Sequence, residues 1–400
     1  MPIYFYKAKK KTAETVAGQV AAESKESAVE KIIQMGLTPI TVEEGSSGGR
    51  AARKNGRVSS KELYFFSRQL VILIKAGVPI LRALEIIADQ IRNLFFQQIV
   101  RNVHFEIKEG RSFSEALAQY PRVFSSLYVV MVKAGEESGR LKETVNDMAS
   151  YQRRQVEILS KVRTALAYPL FMATFGAATV VFTLTYVMPR IAGIFSNLNQ
   201  TLPAPTLFVM RLSAFLLEYW WALLLGGVLI AAGLGQWNKT QAARMLKSRL
   251  TLRLPWLGEF FIKLELARFC RTLELLLKSG IPILRAIQLS TPIVDNVIIK
   301  SELQRCQQEL AAGKSFGNQI RGISFVPPIV GHLVSVGEES GSLDSSLHEI
   351  SQAFEQETDE AIKVMTTFLE PLMIVLIGGS IGFLIIAMLL PVFQLDVFAR

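Results

Sequence analysis

Two glutamate pairs, Glu136-Glu137 and Glu338-Glu339, lie in the same five-residue setting, Gly-Glu-Glu-Ser-Gly. Adjacent carboxylates are candidates for acid–base work, metal binding or contact with a basic partner. The first two uses need supporting groups. His104, His332 and His348 are isolated, with no His-x-x-x-His pair, so no metal site is expected. Cys270 and Cys306 form no Cys-x-x-Cys pattern, and read as reduced thiols rather than a disulfide or zinc site. There is no Gly-x-Ser-x-Gly elbow. Gly313-Lys314-Ser315 resembles the end of a phosphate loop. However, Gln308 stands where that loop needs glycine, and the first half of the chain has Arg111 in place of the lysine. No cofactor and no enzymatic activity are expected, so any ATP-driven work must come from a partner.

The positions of the glutamate pairs are more telling than their chemistry. Gly135-Glu-Glu-Ser-Gly139 returns 202 residues later as Gly337-Glu-Glu-Ser-Gly341. Lys75-Ala-Gly77-Val-Pro79-Ile-Leu-Arg returns 203 residues later with Gly280 and Pro282, and Pro169 and Pro189 return as Pro371 and Pro391. Three separated motifs in one order mark a tandem duplication. Each copy is a polar module followed by an apolar segment.

The chain has 400 residues, 50% of them hydrophobic and 20% charged, with a net charge of +10. Polar domains joined to membrane spans account for that mixture, and the excess of Lys and Arg is then read as orientation and anionic lipid, not nucleic acid. Residues 1–20 carry Lys7, Lys9, Lys10, Lys11 and Glu14 and no apolar core, which does not suit a signal peptide. Uncharged runs at Leu166–Met188, Tyr219–Asn238 and Pro371–Leu395 are long enough to cross a bilayer, and Trp220, Trp221 and Trp237 flank the second. Arg153, Arg154, Lys161 and Arg163 precede the first run. Lys239, Arg244, Lys247, Arg249 and Arg253 follow the second. By the positive-inside rule the two polar modules are cytosolic, the loop near 190–212 is outside, and the C-terminus is outside.

The expected fold is mainly α: three transmembrane helices, two homologous cytosolic helical bundles and a small N-terminal α/β appendage. The expected segments are 1–44, the appendage; 45–57, a flexible linker; 58–164, the first bundle; 165–189, a span; and 190–212, an outer loop. There follow 213–237, a span; 238–368, the second bundle; 369–392, a span; and 393–400, an outer tail. Leu63, Phe66, Leu70, Leu73 and Ile74 make one apolar helix face, and Leu266, Phe269, Leu273, Leu276 and Leu277 make its counterpart. Gly77 and Gly280 end those helices, and Pro79 and Pro282 prevent their continuation. Gly110-Arg-Ser112 and Gly313-Lys-Ser315 repeat the pattern, with glycine ending one helix and serine capping the next.

The Gly-Glu-Glu-Ser-Gly motif has two compatible readings. One is a helix–helix corner in which Gly135, Gly139, Gly337 and Gly341 give backbone freedom, Ser138 and Ser340 cap, and the glutamates are exposed. The other is an acidic contact for a partner through Glu136, Glu137, Glu338 and Glu339. Glu370, directly before Pro371, is either a plain interfacial charge, the favoured reading, or a contact with a partner or another span. Pro169 and Pro371 are placed in the first turn or two of their spans, where a missing N–H costs least. Pro189 and Pro391 are taken to mark the outer ends.

Together these features resemble the inner-membrane platform family of type II secretion systems and type IV pili, that of secretion protein F and pilus protein C. The residues carrying the resemblance are Phe66-Ser-Arg68-Gln-Leu70, Ala76-Gly-Val-Pro79, both Gly-Glu-Glu-Ser-Gly motifs, Leu202-Pro203 with Thr206, and Glu370-Pro371 to Pro391. Lys9-Lys10-Lys11 departs from it, where a glycine-containing turn is expected. The resemblance implies a multi-pass bacterial inner-membrane protein with a cytoplasmic N-terminus and a periplasmic C-terminus, acting as a homo-oligomer. Its implied partners are a hexameric assembly ATPase, pilins or pseudopilins, other inner-membrane platform components and the lipid bilayer, with no nucleic acid. The implied role is to couple the ATPase to subunit extraction and filament assembly. The rival is a transporter or channel subunit working as an oligomer. It would need an ionisable residue or a broken helix at mid-depth, and the sequence offers neither.

Overall fold

A strand pattern opens the chain. β1 (Ile3–Lys9) pairs antiparallel with β2 (Thr15–Ala21) and β3 (Thr38–Gly45), giving the order β2-β1-β3. Tyr4 faces Val20 on one side and Glu44 on the other. Side chains alternate across a strand, so Tyr4 and Ala8 share a face. Both are buried with Val20, Val42, and Ala28 and Ile32 of α1 (Lys25–Gln34). Ser24 starts α1 by accepting from the Ser27 N–H at 3.2 Å, and Gly36 ends it at φ 72°.

The computed structural model describes residues 3–9, 15–22, 24–45, 56–190, 193, 203–238, 240–254 and 257–398. The linker expected at 45–57, the middle of the expected outer loop, Leu202, Lys239 and the Lys10-Lys11 pair lie largely or wholly outside the described residues. The chain divides into two compact units, 1–124 and 125–400.

In the first unit, α2 (Ser60–Lys75), α3 (Ile80–Gln90), α4 (Leu94–Lys108) and α5 (Phe113–Ala118) follow the strands. Phe66, Phe96 and Phe124 pack ring to ring at centroid distances of 5.6–6.5 Å. Leu70, Leu84, Ile87, Val100 and Leu117 are buried in the same unit. Ser59 and Glu62 form a reciprocal capping box at the start of α2.

The second unit begins with α6 (Ser126–Glu137) and α7 (Leu141–Phe182), which continues through a π-helical turn at Thr183–Val187. After α8 (Ala204–Trp237) and α9 (Gln241–Arg253) come α10 (Leu257–Lys278), α11 (Ile283–Ser290), α12 (Val297–Ala311), α13 (Phe316–Arg321), α14 (Pro328–Ser340) and α15 (Leu343–Phe398). The unit boundary at Phe124/Ser125 falls inside the segment 58–164 that reads as one bundle in sequence. The helices α6 and α7 pack in the second unit because they meet the second copy's helices: Met131 lies against Ser279, and Lys278 reaches Asp147 at 3.6 Å.

The duplication reappears in the helix caps. Asn93 accepts from the N–H groups of Phe95 and Phe96, and Asn296 accepts from those of Ile298 and Ile299. Glu62 accepts from Asn93 Nδ2 at 3.0 Å. Its counterpart Glu265 accepts from the Asp295 N–H at the same distance. In both copies one carboxylate ties the first helix to the turn before the third.

Each polar bundle runs into its apolar segment without a break. Leu141–Arg190 and Leu343–Leu390 are long and apolar enough to cross a membrane. A third crossing exists only if Ala204–Ala222 and Leu225–Trp237, which meet at 56°, count as one span. Pro169 and Pro371 therefore sit deep inside α7 and α15, not in a first turn. Each removes one main-chain hydrogen bond from a helix that the flanking sequence otherwise sustains. Pro391 does not end its helix either, since α15 goes on to Phe398. Pro189 lies in the last turn before Arg190. The stretch 204–212, expected as loop, is already helical because Pro203 provides an N-cap with φ −59° and Ala204 starts α8.

Candidate functional site

Three places gather polar groups that could transmit force or meet a partner. The first is the acidic corner. Gly139 and Gly341 adopt φ 68° and 70°, the left-handed region that favours glycine at a helix end. Gly135 and Gly337 do something else. Both are helical, and a Cβ on Gly135 would lie 2.7 Å from Thr144 Oγ1, on Gly337 2.5 Å from Ser346 Oγ. They are required for close approach of the next helix, not for backbone freedom. Ser138 and Ser340 donate back to the carbonyls of Ala134 and Val336, closing helix C-termini.

The glutamates of the second corner separate in role. Glu338 accepts from Ser315 Oγ at 2.7 Å and from the N–H groups of Phe316 and Gly317, both at 2.9 Å. It is an N-terminal cap for α13 supplied from another helix. Burial pushes its pKa up, but these three donors outweigh that and hold it below the usual carboxylate range. In the first copy Glu115 completes a capping box with Ser112, and Asn318 stands at the matching place in the second copy. The reading of all four glutamates as exposed is thus corrected for Glu136 and Glu338, which are half-buried. Glu339 is exposed, and Glu137 is exposed beside Lys133 at 3.7 Å. The neighbouring Gly313-Lys314-Ser315 is a capping turn: Gly313 has φ 85°, Lys314 pairs with Glu309, and Ser315 caps Asn318.

The other glycine stops are equally defined. After Gly77 (φ 80°) the Val78 N–H reaches the Leu73 carbonyl, and after Gly280 (φ 82°) the Ile281 N–H reaches that of Leu276, both at 3.0 Å. Pro79 and Pro282 are the N-caps of α3 and α11. Together each pair fixes a tight corner.

The second place is the charged seam where α7 and α15 approach their apolar stretches. Arg154 Nη2 donates to Asp359 Oδ2 at 3.0 Å, and Lys161 Nζ donates to the same oxygen at 2.7 Å. Arg154 Nε lies 2.9 Å from Glu355 Oε2. On the far side of α15, Lys263 of α10 bridges Glu259 and Glu357. Higher up, Glu274 is buried and holds Arg271 and His348, both at 2.9 Å. A cavity of about 30 Å³ lies between α7, α10 and α15, lined by Tyr151, Arg154, Arg268, Arg271 and Glu355. That is room for roughly a water or two, far too little for a nucleotide. The seam was not visible as a site in sequence, where Arg154 and Lys161 counted only as orientation charges. One signal was available: aligning the repeats places Arg153 against Glu355, a charge reversal within otherwise similar copies.

The third place is where the apolar helices meet. Thr206 donates to the Ala387 carbonyl at 2.6 Å, and Ser213 donates to the Leu184 carbonyl. Seven residues apart, Thr206 and Ser213 lie on one face of α8. Each grips one of the two repeated helices, at carbonyls one position from equivalence. Leu184 falls in the π-helical turn of the first. Leu184, Met188, Val209, Leu384 and Ala387 form a buried apolar cluster around these bonds. Glu370 is exposed and makes no ion pair or hydrogen bond with any described residue. No group of histidine, cysteine or acidic side chains suited to a metal ion occurs among the described residues.

A family model described as type II secretion system protein F matches residues 66–189 and again 269–391, spaced as the internal repeat is. The N-terminal domain model of the same family matches residues 1–43. The type IV pilus assembly protein PilC of Thermus thermophilus is 33% identical over 99% of this chain and 98% of its own length. PilC of Myxococcus xanthus is 29% identical over 98% of this chain and 94% of its own. The type II secretion system protein F of Vibrio cholerae is 28% identical over 99% of each.

Proposed function

The chain belongs to the type II secretion system protein F family, and from that premise we propose how its parts serve a platform for secretion or type IV pilus assembly. It is a multi-pass inner-membrane protein in which Leu141–Arg190, Ala204–Trp237 and Leu343–Phe398 each make one crossing. The N-terminus and both bundles face the cytoplasm, and the C-terminus faces the periplasm. The segment limits at 165–189 and 369–392 divide continuous helices into cytosolic and membrane portions, and the limit at 213–237 leaves 204–212 of α8 on the periplasmic side. The α/β fold at 1–44 is a cytosolic appendage. The cytosolic bundles engage a hexameric assembly ATPase, and the membrane portion handles pilins or pseudopilins beside other platform components and further copies of the chain.

The continuity of α7 and α15 carries this reading. A force applied to a bundle passes along an unbroken helix into its span. The Arg154–Lys161–Asp359 seam joins the two levers at the cytoplasmic membrane surface, and Thr206 and Ser213 join them again at the periplasmic end. A device of this kind transmits work generated elsewhere.

The acidic contact narrows to Glu137 and Glu339, with Glu136 beside them, because Glu338 is committed to capping α13. Glu370 is a further surface charge at the start of the last span. The test is capture of the assembly ATPase by the purified protein, with filament assembly followed in cells. A Glu137→Ala/Glu339→Ala variant that keeps its unfolding temperature is expected to lose both. Unchanged capture and assembly would remove the contact. Thiol labelling of single cysteines placed within 191–202 and at Gln241, from either side of the membrane, tests the three crossings separately.

A further inference from the structure

We propose that α9 (Gln241–Arg253) docks on the cytoplasmic surface of an anionic bilayer, reading lipid phosphates with its arginines and lysine. The proposal rests on the reading above, in which α8 is a membrane span.

Position is the first observation. Thr240 donates to the Trp237 carbonyl at 2.8 Å and accepts from the Ala243 N–H at 3.3 Å. One hydroxyl thus ends α8 and starts α9, so α9 begins where the Trp-marked end of the span meets the interface.

Orientation is the second. Ser248 Oγ accepts from the Val297 N–H at 3.1 Å, and the Ser248 carbonyl accepts from Asn296 at 3.4 Å. One side of α9 is therefore held on the start of α12. The opposite side presents Leu246 and Leu250, 45% and 54% exposed, one turn apart. Lys247 on one flank and Arg249 and Arg253 on the other border that stripe, all exposed.

Charge is the third. The helix contains no Asp or Glu. Among the described residues no carboxylate pairs with Arg244, Lys247, Arg249 or Arg253. The seam residues Arg154, Lys161 and Lys263, by contrast, are all matched to acids. Unmatched cations around an apolar stripe, beside a span, suit a surface that offers phosphate above and acyl chain below. The bundle itself does not require this helix. Residues 38–45 of the first copy, at the corresponding distance, form strand β3.

The experiment uses the full chain in nanodiscs with an environment-sensitive fluorophore on Leu250→Cys or, separately, Val228→Cys. Cys270 and Cys306 are buried, with thiols pushed up to about 12 and about 11 by that burial, so they label poorly. Val228 is an exposed position within α8 and reports the span. The Leu250 label is expected to emit at shorter wavelength in discs containing phosphatidylglycerol than in pure phosphatidylcholine. High salt or Lys247→Gln/Arg249→Gln/Arg253→Gln should abolish the shift, with the Val228 label unchanged. A Leu250 label equally aqueous in both lipids, with the Val228 label in an apolar setting, overturns the docking helix alone. The same follows if the shift is independent of lipid charge, or appears only on adding an acidic protein partner. If both labels are aqueous, the three-span reading fails and the docking helix with it.

Discussion

Arg154 and Asp359 are 205 positions apart in the chain, yet Arg154 Nη2 lies 3.0 Å from Asp359 Oδ2. Asp359 also takes Lys161, so one carboxylate joins two cations of the first copy's long helix to the second copy's. Both ends of the Arg154–Asp359 pair are mostly shielded, with side chains 24% and 20% exposed. Such a pair falls between surface bridges and buried ones.

Removing it is therefore expected to matter. Asp359→Ala should lower stability by about 1–3 kcal/mol, between the exposed and the buried ranges. In a double-mutant cycle with Arg154→Ala, measured by unfolding in detergent, the two changes should be less than additive. Strict additivity would mean the seam is adventitious.

Glu338 should behave as a structural cap. Glu338→Gln is expected to cost about 1–2 kcal/mol by loosening the start of α13. Its folded pKa is depressed, so its contribution is fully present above the unfolded carboxylate pKa of about 4.3. The contribution is lost as pH falls through the lower, folded value. The stability gap between wild type and Glu338→Gln should therefore be constant near neutral pH and close in acid. A gap that widened in acid would contradict the depressed pKa. Glu339→Ala should leave stability unchanged.

The paired glycines of each corner should fail for different reasons. Gly135→Ala forces a Cβ to within 2.7 Å of Thr144 Oγ1, and should cost about 1–3 kcal/mol through overpacking. Gly139→Ala has open space around it but sits at φ 68°, and should cost about 1–2 kcal/mol through backbone strain. Thr144→Ala removes the hydroxyl but leaves the Cβ of that residue 2.9 Å and the Leu141 Cα 3.0 Å from the new carbon, so it should relieve Gly135→Ala in small part and Gly139→Ala not at all. Thermal unfolding of the four proteins decides this.

Where α8 meets the two long apolar helices, Thr206→Val keeps shape and removes the donor to the Ala387 carbonyl. Hydroxyl bonds between spans average roughly 0.6 kcal/mol, so the stability loss should be small. The loss of grip should show instead in faster disulfide trapping between cysteines introduced at Thr206-adjacent and Ala387-adjacent positions that are held apart in the wild type. Trapping rates identical to wild type would mean the apolar cluster alone holds the helices.

Much of the second copy was legible because duplication is read directly from residue identity. Gly77 and Gly280 each need a left-handed residue, and that need is local, so the helix stops could be placed from spacing alone. Glu338 was not legible. Its partners Ser315, Phe316 and Gly317 lie 21–23 residues back, at the start of the preceding helix, and no local pattern reports that approach. The prolines misled because Pro169 suggests a helix start. Nothing local reports that the preceding 28 residues from Leu141 already form one.

The sequence by itself determined the repeat, the helix stops, the apolar segments and, through matching family and relatives, the platform role. These follow from short-range rules: backbone conformation at glycine, hydropathy over a span, and identity between copies. The tertiary structure decided which charges are matched. Arg154 and Lys161 are neutralised while those of α9 meet no acid among the described residues, because ion pairing depends on which helix lies within about 4 Å, not on separation along the chain. It also decided that the last helix of each bundle continues into the apolar segment, with α7 and α15 packed along each other beyond their prolines, where Gly176 meets Ile377.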